Sequence, residues 1–282
     1  MEKLFQIGDF KFQIEYPDSL RIPDHFLFFE AAGSKPEYFY RITEAPSLPE
    51  PQGRLLAQKE DLTVYHCDGL ETRKLSMRGG QDYYACYQEI SSCEALISIR
   101  SGQETIWLDT AFTALFALEK KISARGFLLL HCACLCYDDR AILFSGPSGV
   151  GKSTQAKLWQ KYRSASIVNG DRALLGKNDA DWYAYGWPVC GSSEICHNET
   201  IPVRAIVMLG QGNTNQIRLL APIQAFSEIY GQITVNRWDS HSIERAADQL
   251  EALINRIPVY HLDCTVSEEA VDCLDRVMQA TR

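Results

Sequence analysis

The sequence has no basic cluster, and its formal net charge is −8 with a pI of about 5.3. Binding nucleic acid without regard to sequence needs many phosphate-neutralising Lys and Arg residues, so that partner class is excluded. The same shortage excludes a polybasic membrane anchor. Long apolar runs are also missing. The most apolar stretch, Phe127 to Cys136, is too short to span a bilayer and contains His131. The stretch Met1 to Asp9 lacks the cationic start and apolar core of a signal peptide, which predicts a cytoplasmic protein. There is no internal repeat and no low-complexity tract. Cysteine is not scarce, but the ten residues are scattered, so free thiols are expected. Cys132, Cys134 and Cys136 alternate along a strand-like run and read as small hydrophobes on one face. Cys190 and Cys196-His197 match no structural zinc spacing.

What is present is an ordinary globular composition, 46% hydrophobic and 23% charged over 282 residues, enough for two domains with separate cores. The stretch Gly146-Pro-Ser-Gly-Val-Gly-Lys-Ser153 fits G-x-x-x-x-G-K-[ST]. The apolar run Ala141–Ser145 precedes it and the helix-compatible stretch Thr154–Arg163 follows. That context matters, because the motif works by joining a strand, a loop and a helix N-terminus. Gly146, Gly149 and Gly151 let the backbone curl around an anion, with the N–H groups through Ser148 and Val150 turned inward. The helix start at Lys152, Ser153 and Thr154 adds free N–H groups and the positive end of a dipole. The Lys152 ammonium reaches terminal phosphates in such a loop, and the Ser153 hydroxyl is a Mg²⁺ ligand. The motif predicts binding of a nucleoside triphosphate with Mg²⁺.

Residues 1 to about 108 read as short strands between turn signals, among them Phe10–Ile14, Tyr38–Ile42, Leu62–His66, Tyr83–Tyr87 and Ala95–Ile99. Pro46 to Gly53 and Gly79-Gly80 punctuate them. An antiparallel sheet is expected, its alternating tyrosines serving as core. Asp109 to Arg125 has helical spacing, with Asp109 or Thr110 as a cap and Gly126 as a stop. The expected domains are therefore 1–125 and 126–282. Phe127–Cys136 and Ala141–Ser145 flank a turn at Tyr137–Arg140, so these two strands run antiparallel. An ordinary doubly wound fold opens the P-loop strand into a parallel βαβ unit, and a hairpin here points to a different architecture. Downstream, Ala165–Arg172 reads as a strand ending in Asp171, placed to serve as the carboxylate on the Mg²⁺ side. Trp182–Ser193 is a strand running into a Gly/Ser loop, and Val203–Leu209 and Val259–Leu262 are strands. Pro222–Val235, His241–Arg256 and Ser267–Ala280 are helices.

These residues resemble the catalytic domain of HPr kinase/phosphorylase and its relatives, which share a fold with phosphoenolpyruvate carboxykinase. The resemblance covers roughly residues 127 to 280. It is carried by His131 on the hairpin strand, the loop Gly146–Ser153, the acidic Gly170-Asp171, and the segment Gly186-Trp-Pro-Val-Cys-Gly191 before the strand Pro202–Val207. It implies an α/β (α+β) fold, a mixed-sheet P-loop domain preceded by a smaller antiparallel β domain. It also implies a kinase that uses ATP and Mg²⁺ to phosphorylate a hydroxyl of a small molecule, peptide or protein serine, in a protein able to form homo-oligomers. Lys152, Asp171 and His131 are then the catalytic group, with Ser153 and Asp171 on the metal. The family's acidic motif is usually a pair of adjacent aspartates, one of them the base toward the substrate hydroxyl. Here it reads Asn169-Gly170-Asp171-Arg172, so the first carboxylate is missing. Either Asp171 serves both roles, or the base lies elsewhere with Glu194 and His197 as downstream candidates, or phosphotransfer has been lost. The last case leaves a nucleotide-binding regulatory or scaffold protein, and a kinase/phosphorylase is a further alternative. Arg172 reads as a partner for phosphate or a substrate carboxylate, or as a plain salt bridge. Cys190, Gly191 and Ser192 read as an acceptor-binding loop or a surface turn.

Overall fold

The computed structural model describes residues 1–33, 35–77, 82–102 and 108–280, so the Gly79-Gly80 turn signal lies outside the described residues. The chain divides into two compact units, Met1–Lys121 and Ile122–Arg282. No helix of the described residues is long and apolar enough to cross a membrane.

The first unit is built on strands β1 (Glu2–Ile7), β2 (Phe10–Glu15), β3 (Tyr38–Ala45), β4 (Arg54–Gln58), β5 (Leu62–Cys67), β6 (Leu70–Ser76), β7 (Tyr83–Ser91) and β8 (Glu94–Arg100). They form one sheet in the order β1-β2-β3-β8-β7-β6-β5-β4. The expected antiparallel sheet is corrected to a mixed one, because β3 pairs parallel to both β2 and β8. A parallel pair needs a crossover rather than a hairpin. The connection from β2 to β3, which carries helix α1 (Asp24–Leu27), supplies one such crossover. The antiparallel run β4 to β8 supplies the other, returning the chain to β3. The helix expected over 109–125 is two pieces, α2 (Asp109–Ala114) and α3 (Leu118–Ser123), broken where Ala117 takes φ +48°. Neither Asp109 nor Thr110 caps α2. Its N-cap is Leu108, and Asp109 Oδ1 accepts from the N–H of Thr110 at 2.6 Å. The tyrosines Tyr38, Tyr40, Tyr84 and Tyr87 are buried, as alternating strand aromatics should be. Phe12, Phe26, Tyr40 and Phe116 meet edge to face or tilted around them.

This unit also buries charge. Arg73 on β6 ion-pairs with its neighbour Glu71 and with Glu119 of α3, the latter at 2.5 Å. Lys120 and Lys121 each reach Glu89 on β7 at 2.8 Å. Burial pushes the Glu89 carboxyl up, but Lys121 and Lys120 outweigh it and lower it to about 2. Three carboxylates and three cations thus close on one another.

The second unit holds β9 (Leu128–Tyr137), β10 (Arg140–Ser145), α4 (Lys152–Arg163), β11 (Ser166–Asn169), β12 (Arg172–Asn178), β13 (Asp181–Tyr185), β14 (Thr200–Gln211), β15 (Gln216–Leu219), α5 (Pro222–Tyr230), α6 (Ser240–Ile254), β16 (Val259–Cys264) and α7 (Glu268–Ala280). The fold is α/β with mixed pairing. β10 is antiparallel to β9 and parallel to β14, and β14 is parallel to β16. The β9–β10 turn has Asp138 and Asp139 at φ +50° and +57°, the two positive values that a two-residue hairpin turn of type I′ requires. Strands β9, β10, β14, β13 and β12 pair in a closed circuit, because the long β9 and β14 each serve two sheets. Alternation along β9 sends Cys132 and Cys134 into a core with α5 and α6, and Ala133 and Leu135 into one with α4 and α7. Burial raises the Cys134 thiol to about 12, as expected of a packed rather than reactive cysteine. Helix α5 ends at Tyr230, short of the expected Val235, and the edge strand β15 has too few residues to show a period.

Candidate functional site

The carboxyl end of β10 delivers the chain to the loop. Gly146, Gly149 and Gly151 take φ +140°, +80° and +111°, all in the positive region that residues with a Cβ rarely adopt. At Gly146 space is also short, since a Cβ would stand 3.1 Å from Val150 Cγ1 and 3.3 Å from Leu209 O. Gly151 is the N-cap of α4 and brings no capping side chain, so the first N–H groups of the helix are left for another acceptor. Ser148, Ser153 and Thr154 are exposed at this mouth, and Val150 is half-buried against the α4 core. Lys152 is only 8% exposed, and its ammonium donates to the loop's own carbonyls, Gly146 O at 3.0 Å and Pro147 O at 3.2 Å. Among the described residues no carboxylate ion-pairs with it. Burial lowers its pKa, against the pull of Asp171. The far end of α4 is fixed by Arg163, which pairs with Asp275 at 2.6 Å and with Asp272 on α7.

His131 and Asp171 are brought together by strand register. Arg172 opens β12 opposite His131 on β9, and the N–H of Cys132 donates to Asp171 O at 3.0 Å. His131 Nε2 then lies 3.6 Å from Asp171 Oδ1, within ion-pair reach and beyond a hydrogen bond. Burial, reinforced by the charge of Lys152, lowers the His131 pKa while Asp171 pulls the other way. Arg172 Nε donates to Asp171 Oδ2 at 3.1 Å and its Nη1 to Thr234 Oγ1 at 3.0 Å. It orients the carboxylate from the other side.

Asp171 does not end a strand as expected. It sits in the tight turn between β11 and β12, and Asn169 builds that turn. The Asn169 Oδ1 accepts from the N–H groups of Asp171 and Arg172 at 2.8 and 2.9 Å. Its Nδ2 donates to Trp187 O and Val189 O at 2.9 and 3.0 Å, so one buried amide fastens the turn to the next loop. The place of the missing carboxylate is filled. A Cβ on Gly170 would fall 2.2 Å from Ser193 Oγ, which donates to Cys190 O at 2.6 Å. The loop presses on Asp171 as well, since a Cβ on Gly191, at φ +56°, would be 3.2 Å from its carboxyl. Gly191 and Ser192, in a single 3-10 turn (Gly191–Ser193), are exposed beside Asp171. Cys190, read with them as part of an acceptor-binding loop, is buried. Glu194 and His197 make no hydrogen bond or ion pair with His131 or Asp171 among the described residues, and the His197 N–H is tied to Val168 O at 3.0 Å. Asn169 before Gly-Asp was a readable turn signal. Ser193 and Thr234 gave none, being brought in by tertiary packing.

A family model for the SynChlorMet cassette protein ScmC matches residues 93–279. The chain belongs to the ScmC family. No curated protein matches the chain. Among solved structures, the HPr(Ser) kinase/phosphatase from Coxiella burnetii is similar at 13% identity and a TM-score of 0.33, over 54% of this chain and 97% of that one. The ScmC match takes in all of β9 to β16 and therefore every residue of the loop and of the His131–Asp171 cluster.

Proposed function

We propose that this ScmC-family protein is a phosphotransferase that moves the terminal phosphoryl group of ATP, with Mg²⁺, onto a hydroxyl acceptor. The observation that carries this reading is Lys152, a nearly buried cation resting on carbonyls at the mouth of a three-glycine loop and an uncapped helix. Such a charge is costly unless an anion meets it. The donor set suits a triphosphate and its metal: loop N–H groups, an ammonium, the exposed Ser153 hydroxyl and the partly exposed Asp171 carboxylate. Ser153 and Asp171 would hold Mg²⁺, which when bound neutralises charge on the phosphates. Lys152 exchanges its carbonyl contacts for phosphate oxygens. Asp171, oriented by Arg172, faces the acceptor with His131. As the acceptor oxygen bonds to phosphorus and the bond to the leaving ADP oxygen breaks, the His131 imidazole takes the hydroxyl proton. Gly191 and Ser192 flank the side from which the acceptor enters. The resemblance to HPr kinase/phosphorylase in the hairpin, loop and acidic turn agrees with this assignment of roles.

A second reading keeps nucleotide binding without transfer, and Gly170 favours it, because the first carboxylate is absent and Ser193 fills its space. The two readings separate on ATP consumption by the purified protein with Mg²⁺, with and without a small-molecule extract, using Lys152→Ala as control. Extract-stimulated turnover that the variant lacks, with a product heavier by one phosphate in mass spectrometry, supports transfer. ATP bound but never consumed, with any hydroxyl acceptor, supports the second reading.

A further inference from the structure

The proposed reaction uses His131, Asp171 and Arg172, and gives no role to the segment between α5 and α6 that lies against them. The chain leaves α5 with the N–H groups of Gln232 and Ile233 both donating to Ile229 O, at 2.8 and 3.2 Å. It then runs along β9. The His131 N–H donates to Gln232 O and the Thr234 N–H to Leu129 O, each at 2.9 Å, and Leu130 pairs with Ile233 between them. β10 accompanies β9 only as far as the pair of Ser145 with Cys132, so this segment takes up the edge that β10 leaves. On that same edge Ser145 Oγ donates to His131 O at 2.8 Å.

Alternation assigns the faces. Leu130 and Ile233 are buried in the core with α5 and α6, whereas Ala133 and Leu135 pack with α4 and α7. His131, Gln232 and Thr234 therefore stand on the α4 face, the one that carries the glycine loop. Arg172 is opposite His131 on β12, at the other edge of β9. Its side chain crosses β9 to reach Thr234, donating from Nη1 to Oγ1 at 3.0 Å, while its Nε donates to Asp171 Oδ2 at 3.1 Å. The ion pair is open to water, with side chains 34% and 25% exposed. A pair this open holds its own geometry weakly, because solvent screens the attraction and two mobile side chains must be ordered to make it. A second anchor on the planar guanidinium changes that, since two fixed nitrogens leave the fork one orientation. Thr234 is that anchor, and its main chain is itself tied to β9.

We propose that Thr234 is a positioning residue of the transfer site: its hydroxyl pins the Arg172 guanidinium across β9, and the guanidinium aims the Asp171 carboxylate beside His131. This inference rests on the phosphotransfer reading above for its catalytic consequence, and on the hydrogen bonds alone for the pinning.

The test compares the full chain as wild type, Thr234→Val, which keeps the shape and loses the hydroxyl, and Thr234→Ser, which keeps the hydroxyl. In ¹⁵N-labelled protein the Arg172 Nε–H signal is assigned by its loss in Arg172→Lys. The expected result is a rigid, slowly exchanging signal in the wild type and in Thr234→Ser, exchanging about tenfold faster or more in Thr234→Val. In turnover with Mg²⁺ and ATP, Thr234→Val should lower kcat about tenfold with KM for ATP unchanged, and Thr234→Ser should restore it. In an Arg172→Ala background Thr234→Val should have no further effect on kcat. An Arg172 signal equally protected in Thr234→Val and wild type would overturn the pinning. Loss of kcat in Thr234→Ser as well, or an undiminished effect without Arg172, would overturn the route through the guanidinium. Wild-type protein that never turns over ATP removes the phosphotransfer reading and the catalytic consequence with it, while the exchange comparison still decides whether Thr234 holds Arg172.

Discussion

Two clusters of charge lie in the two units, and they are finished to different degrees. In the first unit Glu71, Glu89 and Glu119 meet Arg73, Lys120 and Lys121, each within ion-pair distance of an opposite charge. In the second, Lys152 meets carbonyl oxygens and, among the described residues, no carboxylate within ion-pair distance, burial lowers the His131 pKa, and Asp171 is kept partly open to solvent between His131 and Arg172. In the first arrangement every charge meets an opposite one within the cluster, so the pairing is complete without a ligand. The second leaves a cation and a helix N-terminus without an anion among the described residues, and a phosphate would supply one. Burial of charge alone therefore does not mark a site. What marks it is a nearly buried cation that no carboxylate among the described residues pairs with.

Breaking each cluster should have opposite consequences. Arg73→Ala removes a buried guanidinium from the buried Glu71, which is left with Lys120 alone, and from the partly exposed Glu119, and should cost about 3–5 kcal/mol in denaturant unfolding, with ATP affinity retained under folding conditions. His131→Ala should slow phosphoryl transfer by about a hundredfold while changing ATP affinity only a few-fold, read as a fall in kcat. The pH dependence sharpens the contrast. Because the folded Glu89 pKa is lowered from 4.5 to about 2, its stabilisation is complete above pH 4.5 and is lost as pH falls toward 2. Glu89→Gln should flatten that acid limb by up to about 3 kcal/mol. The smallest effect concerns the filled position. Gly170→Ala should cost about 1–3 kcal/mol through its collision with Ser193, and Ser193→Gly should relieve it, giving a coupling of about 1 kcal/mol or more in a double-mutant cycle. Independent costs in that cycle would show that the turn moves aside instead.

Much of the second unit was legible in the sequence because its signals are local. The glycine spacing, the lysine, the two-aspartate hairpin turn at Asp138-Asp139 and the acid at Asp171 each follow from backbone conformation or charge within a few residues. The parallel placement of β3 was not legible, since alternation reports which face is buried but not which strand lies alongside. Nor was the plug at Gly170. The missing aspartate could be read directly, but that Ser193 fills its space depends on a contact across a loop.

The most direct test of the central claim is the affinity of the full chain for ATP with Mg²⁺, measured by calorimetry in the wild type and in Lys152→Ala. The account predicts binding by the wild type, a loss of about a hundredfold in the variant, and unfolding stability equal to or above the wild type's because a costly buried cation is gone. Equal affinity in the two proteins would contradict it.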